Sequence, residues 1–282
     1  MSEVADRSGE IDTPFGAHGG LPVFWRSADA PAGTTQAAVP LYLHGVPDNS
    51  DEWLPFLART GGLAPDLPGF GRSGKPGYLT YTIAEYDRYI ELFLDEVGVQ
   101  RVSVVMHDWG AVGLAFAQRL PERVARLVIV NAVPLLPGYR WHRLARIWRT
   151  PGLGELAMGT TNHFTLGRLS RETNAAPGPM PEAWLNSVLE HFDQGTQRAI
   201  LRLYRSSPPD VLAAAGERLG RLQVPALVVW GLHDPYIPAR FAGQYASALP
   251  DAQLVEVPEA GHYPWLDRPE LVQRVADFLI AG

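Results

Sequence analysis

Three residues of this 282-residue chain combine types and surroundings that suit nucleophilic chemistry: Asp108, Asp234 and His262. Asp108 lies within Arg101 to Leu120, RVSVVMHDWGAVGLAFAQRL, where β-branched Val102, Val104 and Val105, extended by Met106, give way after Gly110 to Val112, Leu114, Phe116 and Ala117 at helical spacing. The small residues Ala111, Gly113 and Ala115 allow that helix to lie close on a sheet. The pattern predicts strand, sharp turn, helix, with Asp108 at the strand's C-terminal end over a helix N-terminus. Backbone N–H groups there favour negative charge and can receive an oxyanion. Asp234 falls in the loop after a strand from Ala226 to Gly231, and His262 in the loop after a strand from Gln253 to Val257. Taken singly these are a helix cap, a turn aspartate before proline and a surface histidine. Taken together they are a carboxylate, an orienting acid and a base.

The elements that must position them alternate. Leu21 to Arg26 and Val39 to Leu43 read as early strands separated by a Pro/Ala/Gly loop from Ala30 to Gly33. Leu63 begins a short strand that runs into the glycine-rich turn ending at Ser73, which has neither the G-K-[ST] nor the G-x-G-x-x-G of a phosphate cradle. Thr82-Ile83-Ala84-Glu85 reads as a capping box opening a helix to about Val97, with Ile83, Tyr86, Tyr89, Ile90, Phe93 and Leu94 on its core face. Arg126 to Asn131 is a buried parallel strand. The strand pattern then stops: Trp141, Leu144, Ile147 and Trp148 stand at helical spacing, followed by a Pro/Gly loop from Asn174 to Pro181 and amphipathic segments around Trp184 to His191 and Thr196 to Tyr204. Pro238 to Leu249 and Pro269 to Ile280 are the last helices. The fold class expected is α/β, a doubly wound and mostly parallel sheet formed by residues 1–131 and 210–282, with a helical cap inserted at 132–209.

Composition narrows the function classes. With no cysteine, a disulfide framework, a cysteine zinc site and a thiol nucleophile are excluded. Net charge is -6 and the pI about 5.7, with arginines scattered, so nothing marks a nucleic-acid face. The polar start MSEVADRSGEID has no apolar leader segment, and no stretch approaches a membrane span. The expectation is a soluble cytoplasmic protein with no metal or organic cofactor, whose partners are a small apolar substrate and water.

His107-Asp108-Trp109-Gly110 resembles the nucleophile elbow of the α/β-hydrolase fold in the branch that carries aspartate in place of serine, the epoxide hydrolases and haloalkane dehalogenases. His44-Gly45-Val46-Pro47 resembles the H-G-x-P loop of the same group, and Ala64-Pro65-Asp66 through Ser73 its glycine-rich turn. The order Asp108, Asp234, His262 is that of nucleophile, acid and histidine in this fold. The resemblance implies that Val46 and Trp109 supply backbone N–H groups to an oxyanion hole, each worth roughly 3 to 4 kcal/mol in comparable sites. His44 is expected to fix its loop through its ring. A carboxylate is ionised at neutral pH and can displace a leaving group from saturated carbon without a base, forming an alkyl ester on Asp108. His262, held in one tautomer by Asp234, would then activate the water that cleaves the ester.

The leaving group separates two activities. An epoxide needs a proton donor, and Tyr204-Arg205 resembles the segment that supplies one cap tyrosine in epoxide hydrolases; Tyr139 is the other tyrosine of the insertion. A halide needs two N–H donors, which the resemblance places at Trp109 and at either an asparagine, here replaced by Val46, or a cap tryptophan such as Trp141 or Trp148. Met106, two places before the nucleophile, fits dehalogenases, while Tyr204 and the missing asparagine fit epoxide hydrolases. The balance favours epoxide hydrolase over haloalkane dehalogenase, and both over a non-catalytic binder, since the triad is complete. A pocket lined by Trp53, Trp148, Tyr139 and Tyr204 is expected between Trp109 and the cap.

Overall fold

The computed structural model describes residues 3–12, 19–34, 36–176 and 178–280. Eight strands form one sheet in the order β1-β2-β4-β3-β5-β6-β7-β8: β1 Val4–Ile11, β2 Leu21–Ala28, β3 Val39–Leu43, β4 Gly62–Pro65, β5 Val102–Asp108, β6 Val124–Ala132, β7 Ala226–Gly231 and β8 Ala252–Val257. β2 pairs antiparallel with both β1 and β4, and every pair from β4 to β8 is parallel. All seven residues of β5 are buried, as its unbroken apolar run requires of a central parallel strand.

Alternate residues of the central strands feed two apolar layers. Leu41, Leu43, Val104, Met106, Leu127 and Ile129 belong to one, with α2 (Ile83–Glu96) and α3 (Val112–Arg119). Tyr42, Val105, Val128 and Val130 belong to the other, with α1 (Leu54–Thr60). The capping box opens α2 as the sequence predicts: the Thr82 hydroxyl accepts from Glu85 N–H at 3.2 Å, and the Glu85 carboxylate accepts from Thr82 N–H at 3.2 Å.

Among the described residues six α-helices lie between β6 and β7, and the first five fall before residue 209: α4 Arg143–Arg149, α5 Leu153–Gly159, α6 His163–Leu169, α7 Glu182–Glu190 and α8 Gln194–Ser206. Trp141 falls outside α4, because the His142 side chain caps the helix by accepting from Ala145 N–H. Polar bonds fasten this segment to the core: Trp184 Nε1 donates to Asp48 at 2.5 Å, the Ser187 hydroxyl to Asp51 at 2.7 Å, and Arg202 to the carbonyls of Gly77 and Leu79. Of the loop from Asn174 to Pro181, only Pro177 lies outside the described residues. α9 Pro209–Ala215, α10 Arg240–Ala248, α11 Pro264–Asp267 and α12 Glu270–Ile280 complete the chain, and among the described residues no helix is long and apolar enough to cross a membrane.

β1 is absent from the sequence reading. Of its residues VADRSGEI four are exposed and only Ile11 is buried, so the strand is held by the ladder to β2 and leaves no alternating pattern.

Close approach of β3 to the elbow is set by missing side chains. A Cβ on Gly110 would stand 2.1 Å from the Leu43 carbonyl oxygen, and one on Gly113 2.7 Å from Leu43 Cδ1 and 3.0 Å from Met106 Sδ. Backbone cannot swing aside as a side chain can. Gly110→Ala is therefore expected to cost about 3 kcal/mol and lower the melting temperature by several degrees. Gly243→Ala, in α10 with nothing within 4 Å of the new methyl, should be neutral or stabilising by up to about 1 kcal/mol. Calorimetry of the two variants checks this, and equal melting temperatures would refute it.

Candidate active site

Asp108 closes β5 with φ 46° and ψ -116°, a conformation that costs an L-residue about 1–3 kcal/mol and persists only where surroundings enforce it. Three neighbours do so. The strand pairing shifts register between His107 and Asp108, Val133 N–H donates to the Asp108 carbonyl at 2.9 Å, and the H-G-V-P loop crosses so closely that a Cβ on Gly45 would meet Asp108 Cβ at 2.7 Å. The Asp108 side chain does not cap the turn Trp109–Ala111 that follows it. One of its oxygens instead accepts from Val46 N–H at 3.0 Å. The same loop is fixed by the His44 ring, whose Nε2 accepts from Leu67 N–H at 2.8 Å while Nδ1 lies 2.7 Å from the Gly45 carbonyl.

His262 faces two carboxylates. Its Nδ1 lies 2.7 Å from Asp234 Oδ2, and its Nε2 3.7 Å from Asp108 Oδ2, beyond a hydrogen bond. An ionised acceptor at Nδ1 selects the tautomer with hydrogen on that nitrogen and leaves Nε2 a free base. Asp234 is itself gripped: Oδ1 accepts from the backbone N–H of Tyr236 at 2.7 Å and Ile237 at 3.0 Å, and Oδ2 from Asn131 Nδ2 at 2.8 Å. Burial alone would raise its pKa, but the charge and hydrogen bond of His262, with the other donors, hold the carboxyl below its ordinary range. Asn131, at φ 37°, also accepts from Gly231 N–H at 2.8 Å, which locks the ends of β6 and β7 together. In the sequence Asn131 stands only as the last residue of a buried strand. The clue to its role was a polar residue ending the apolar run RLVIVN.

Above the triad lies a cavity of about 140 Å³, lined chiefly by apolar side chains, into which Asp108, His262, His142, Trp148, Tyr204 and Tyr236 project. Trp148 and Tyr204 thus stand where the sequence places them. Trp53 and Tyr139 do not. Trp53 is fully buried in the other layer, stacked on Trp265 at 5.6 Å and edge-on to Phe56, because its 3₁₀ turn Ser50–Trp53 leads directly into α1. Tyr139 is buried behind the cavity, edge-on to Trp141 and Phe241. Trp109 is also buried, between the stacked ring of Trp141 and the edge of Tyr204. Its indole N–H interacts with the Tyr204 hydroxyl without completing a hydrogen bond.

His142 and Tyr236 were not foreseen. Burial, and then the charge of His262, lower the His142 pKa to about 4; with Nδ1 accepting from Ala145, the neutral ring carries its hydrogen on Nε2. Burial, and then the Asp108 charge, push the Tyr204 phenol well above its usual range, so it stays a donor. Neither His142 nor Tyr236 leaves a motif, since each reaches the cavity only through packing against residues distant in sequence.

The α/β-hydrolase fold family model matches residues 41–269. A haloalkane dehalogenase of Bradyrhizobium diazoefficiens is 28% identical across 89% of this chain and 89% of its own length. Haloalkane dehalogenase 1 of Mycobacterium tuberculosis is 32% identical across 69% of this chain and 67% of its own. In structure, haloalkane dehalogenase DbeA of Bradyrhizobium elkani superposes with a TM-score of 0.82 over 99% of this chain and 98% of its own, at 24% identity, a likeness of fold. A buried aspartate at a strand-to-helix elbow, a histidine between two carboxylates and these matches point one way: the chain is a hydrolase of the α/β-hydrolase fold family, in the aspartate-nucleophile branch of the haloalkane dehalogenases.

Proposed function

We propose that the protein hydrolyses small apolar alkyl halides through an alkyl ester on Asp108. The observation that carries the two-step route is the placement of His262: its free Nε2 lies 3.7 Å from one Asp108 oxygen, while Val46 N–H holds the other. An attacking carboxylate and a base for water thus share one cavity, with no direct bond to disable either. Asp108 attacks carbon and the halide leaves; His262 then takes a proton from the water that attacks the ester carbonyl carbon of Asp108 and gives it to the departing alkoxide, which leaves as the alcohol, while the water's second proton passes to solvent and Asp108 returns to its carboxylate. The oxyanion forms where Val46 N–H and the N–H of Trp109 can hold it. Residues 132–209 act as the cap that excludes bulk water, and the small, mainly apolar cavity suits a short alkyl chain. Halide as the leaving group is supported by the named relatives, which are haloalkane dehalogenases.

A second reading, epoxide hydrolysis, has one observation in its favour. Among the donors lining the cavity with Asp108 are the Tyr204 hydroxyl and the His142 ring, with ring centroids 6.4 Å apart, while Val46 stands in place of the asparagine that would grip a halide. Such donors suit an alkoxide, which must be protonated; Tyr139 does not reach the cavity and supplies neither. The named relatives give this reading no specific support.

His262→Gln should leave alkylation of Asp108 intact and stop ester hydrolysis, so that intact-protein mass spectrometry with 1-bromobutane finds an added butyl group on a peptide containing Asp108. An unmodified protein, or a variant that still turns over, would refute the two-step route. Bromide release from 1-bromobutane and diol formation from styrene oxide, measured in parallel, separate the leaving groups, with bromide the expected product. Tyr204→Phe should slow any epoxide opening by roughly 10² or more while changing bromide release less than about threefold. Diol without bromide would replace the halide reading by the epoxide one.

A further inference from the structure

Three ionisable side chains buried beneath the nucleophile take no part in the steps above: Asp48, Glu52 and His107, whose ligand-type atoms all lie within 4.8 Å of one another. Both oxygens of Asp48 already accept hydrogen bonds, from the Tyr263 hydroxyl and from Trp184 Nε1. Glu52 and His107 meet directly, Oε1 to Nδ1 at 2.7 Å, with side chains 1 % and 0 % exposed. The two atoms meet off the ideal hydrogen-bond direction, and neither has another partner. The arrangement is one of shared protons rather than a cation cage.

The direction of each proton follows from its acceptor. His107 Nε2 lies 2.9 Å from the His262 carbonyl oxygen, which can only accept, so Nε2 carries hydrogen. In a neutral ring Nδ1 is then a lone pair, so any hydrogen shared across its 2.7 Å contact with Oε1 comes from Glu52. Glu52 Oε2, the remaining oxygen, accepts from Gly45 N–H at 3.2 Å. One side chain thereby ties three segments: the loop carrying Val46 through Gly45, the elbow through His107, and through that ring the loop carrying His262.

We propose that Glu52, as an uncharged carboxylic acid, is the positioning residue that keeps the oxyanion loop, the nucleophile elbow and the histidine loop in register for ester hydrolysis. Burial and then the charge of Asp108 raise its pKa well above the usual carboxylate range, against the opposing pull of Gly45 N–H and His262. Burial likewise lowers that of His107, which favours the neutral ring. An uncharged donor suits this place. Asp108 and Asp234 already flank His262, and ester hydrolysis develops a further negative charge at the Asp108 carbonyl; an ionised Glu52 would oppose that charge, whereas the acid supplies geometry alone.

The proposal rests on the two-step reading, and the test separates the two. In single-turnover experiments on the full chain with 1-bromobutane, mass spectrometry follows formation and decay of the butyl ester. Glu52→Leu should slow decay by about tenfold or more with formation within about threefold of wild type. Glu52→Gln should restore decay at least about tenfold over the leucine variant, because the amide donates to Nδ1 and accepts from Gly45. Glutamine as slow as leucine, or leucine with wild-type decay, overturns the proposal. Infrared difference spectra of wild type minus Glu52→Gln at neutral pH give a test that does not depend on the leucine variant folding. A lost band of a protonated carboxyl supports the assignment, and a lost carboxylate band overturns it. Absence of any ester in wild type and in His262→Gln would instead remove the two-step reading, and the infrared result would still decide the protonation of Glu52.

Discussion

The site depends on holding one aspartate in a backbone conformation that aspartate disfavours. At φ 46° Asp108 turns away from the plane of β5, and nothing local stabilises it there, since its side chain makes no cap. The stabilisation is tertiary: a fully buried strand that cannot shift, a bare glycine loop pressed against its Cβ, and a backbone N–H from beyond β6 holding its carbonyl. The same tight geometry that strains the residue also delivers Val46 N–H to its carboxylate. The strain and the Val46 hydrogen bond are two results of one close approach.

Around that point the protein manages an excess of acid. Asp48, Glu52, Asp108 and Asp234 are buried within a few residues' reach of His262 and His107, and four uncompensated charges would cost far more than the domain's stability. The sheet handles them differently. Asp234 is surrounded by donors and held ionised; Asp48, raised to about 7 chiefly by burial and lodged between Tyr263 and Trp184, sits at the edge of ionisation; Glu52 is driven to its neutral form. Identical chemistry thus takes three states because the hydrogen-bond donors differ.

Much of this was legible in the sequence because the information was local. The change from β-branched to helical spacing around Asp108, the capping box at Thr82 and the order of Asp234 and His262 are patterns within a few residues, and the structure brings those side chains together. Trp53, Tyr139 and β1 fail for one reason. Each is defined by what it packs against: Trp53 and Tyr139 are aromatic in either setting, and β1 has no apolar face because its partner supplies the ladder. His142 and Glu52 were invisible for a further reason, since a titratable side chain acquires its state only from neighbours far along the chain, here His262 for one and Gly45, His107 and Asp108 for the other. The choice between halide and epoxide belongs to that class too, as it turns on which donors the helices above the sheet aim inward.

The bond from Trp184 on α7 to Asp48 joins parts of the chain far apart in sequence. Asp48 also accepts from Tyr263, the residue after His262, and both aromatic side chains line the cavity. Breaking the Trp184 bond would leave a buried carboxyl with one donor fewer. Helix α7 and the segment that carries His262 are therefore coupled through a single carboxyl, each of whose oxygens takes its donor from one of them.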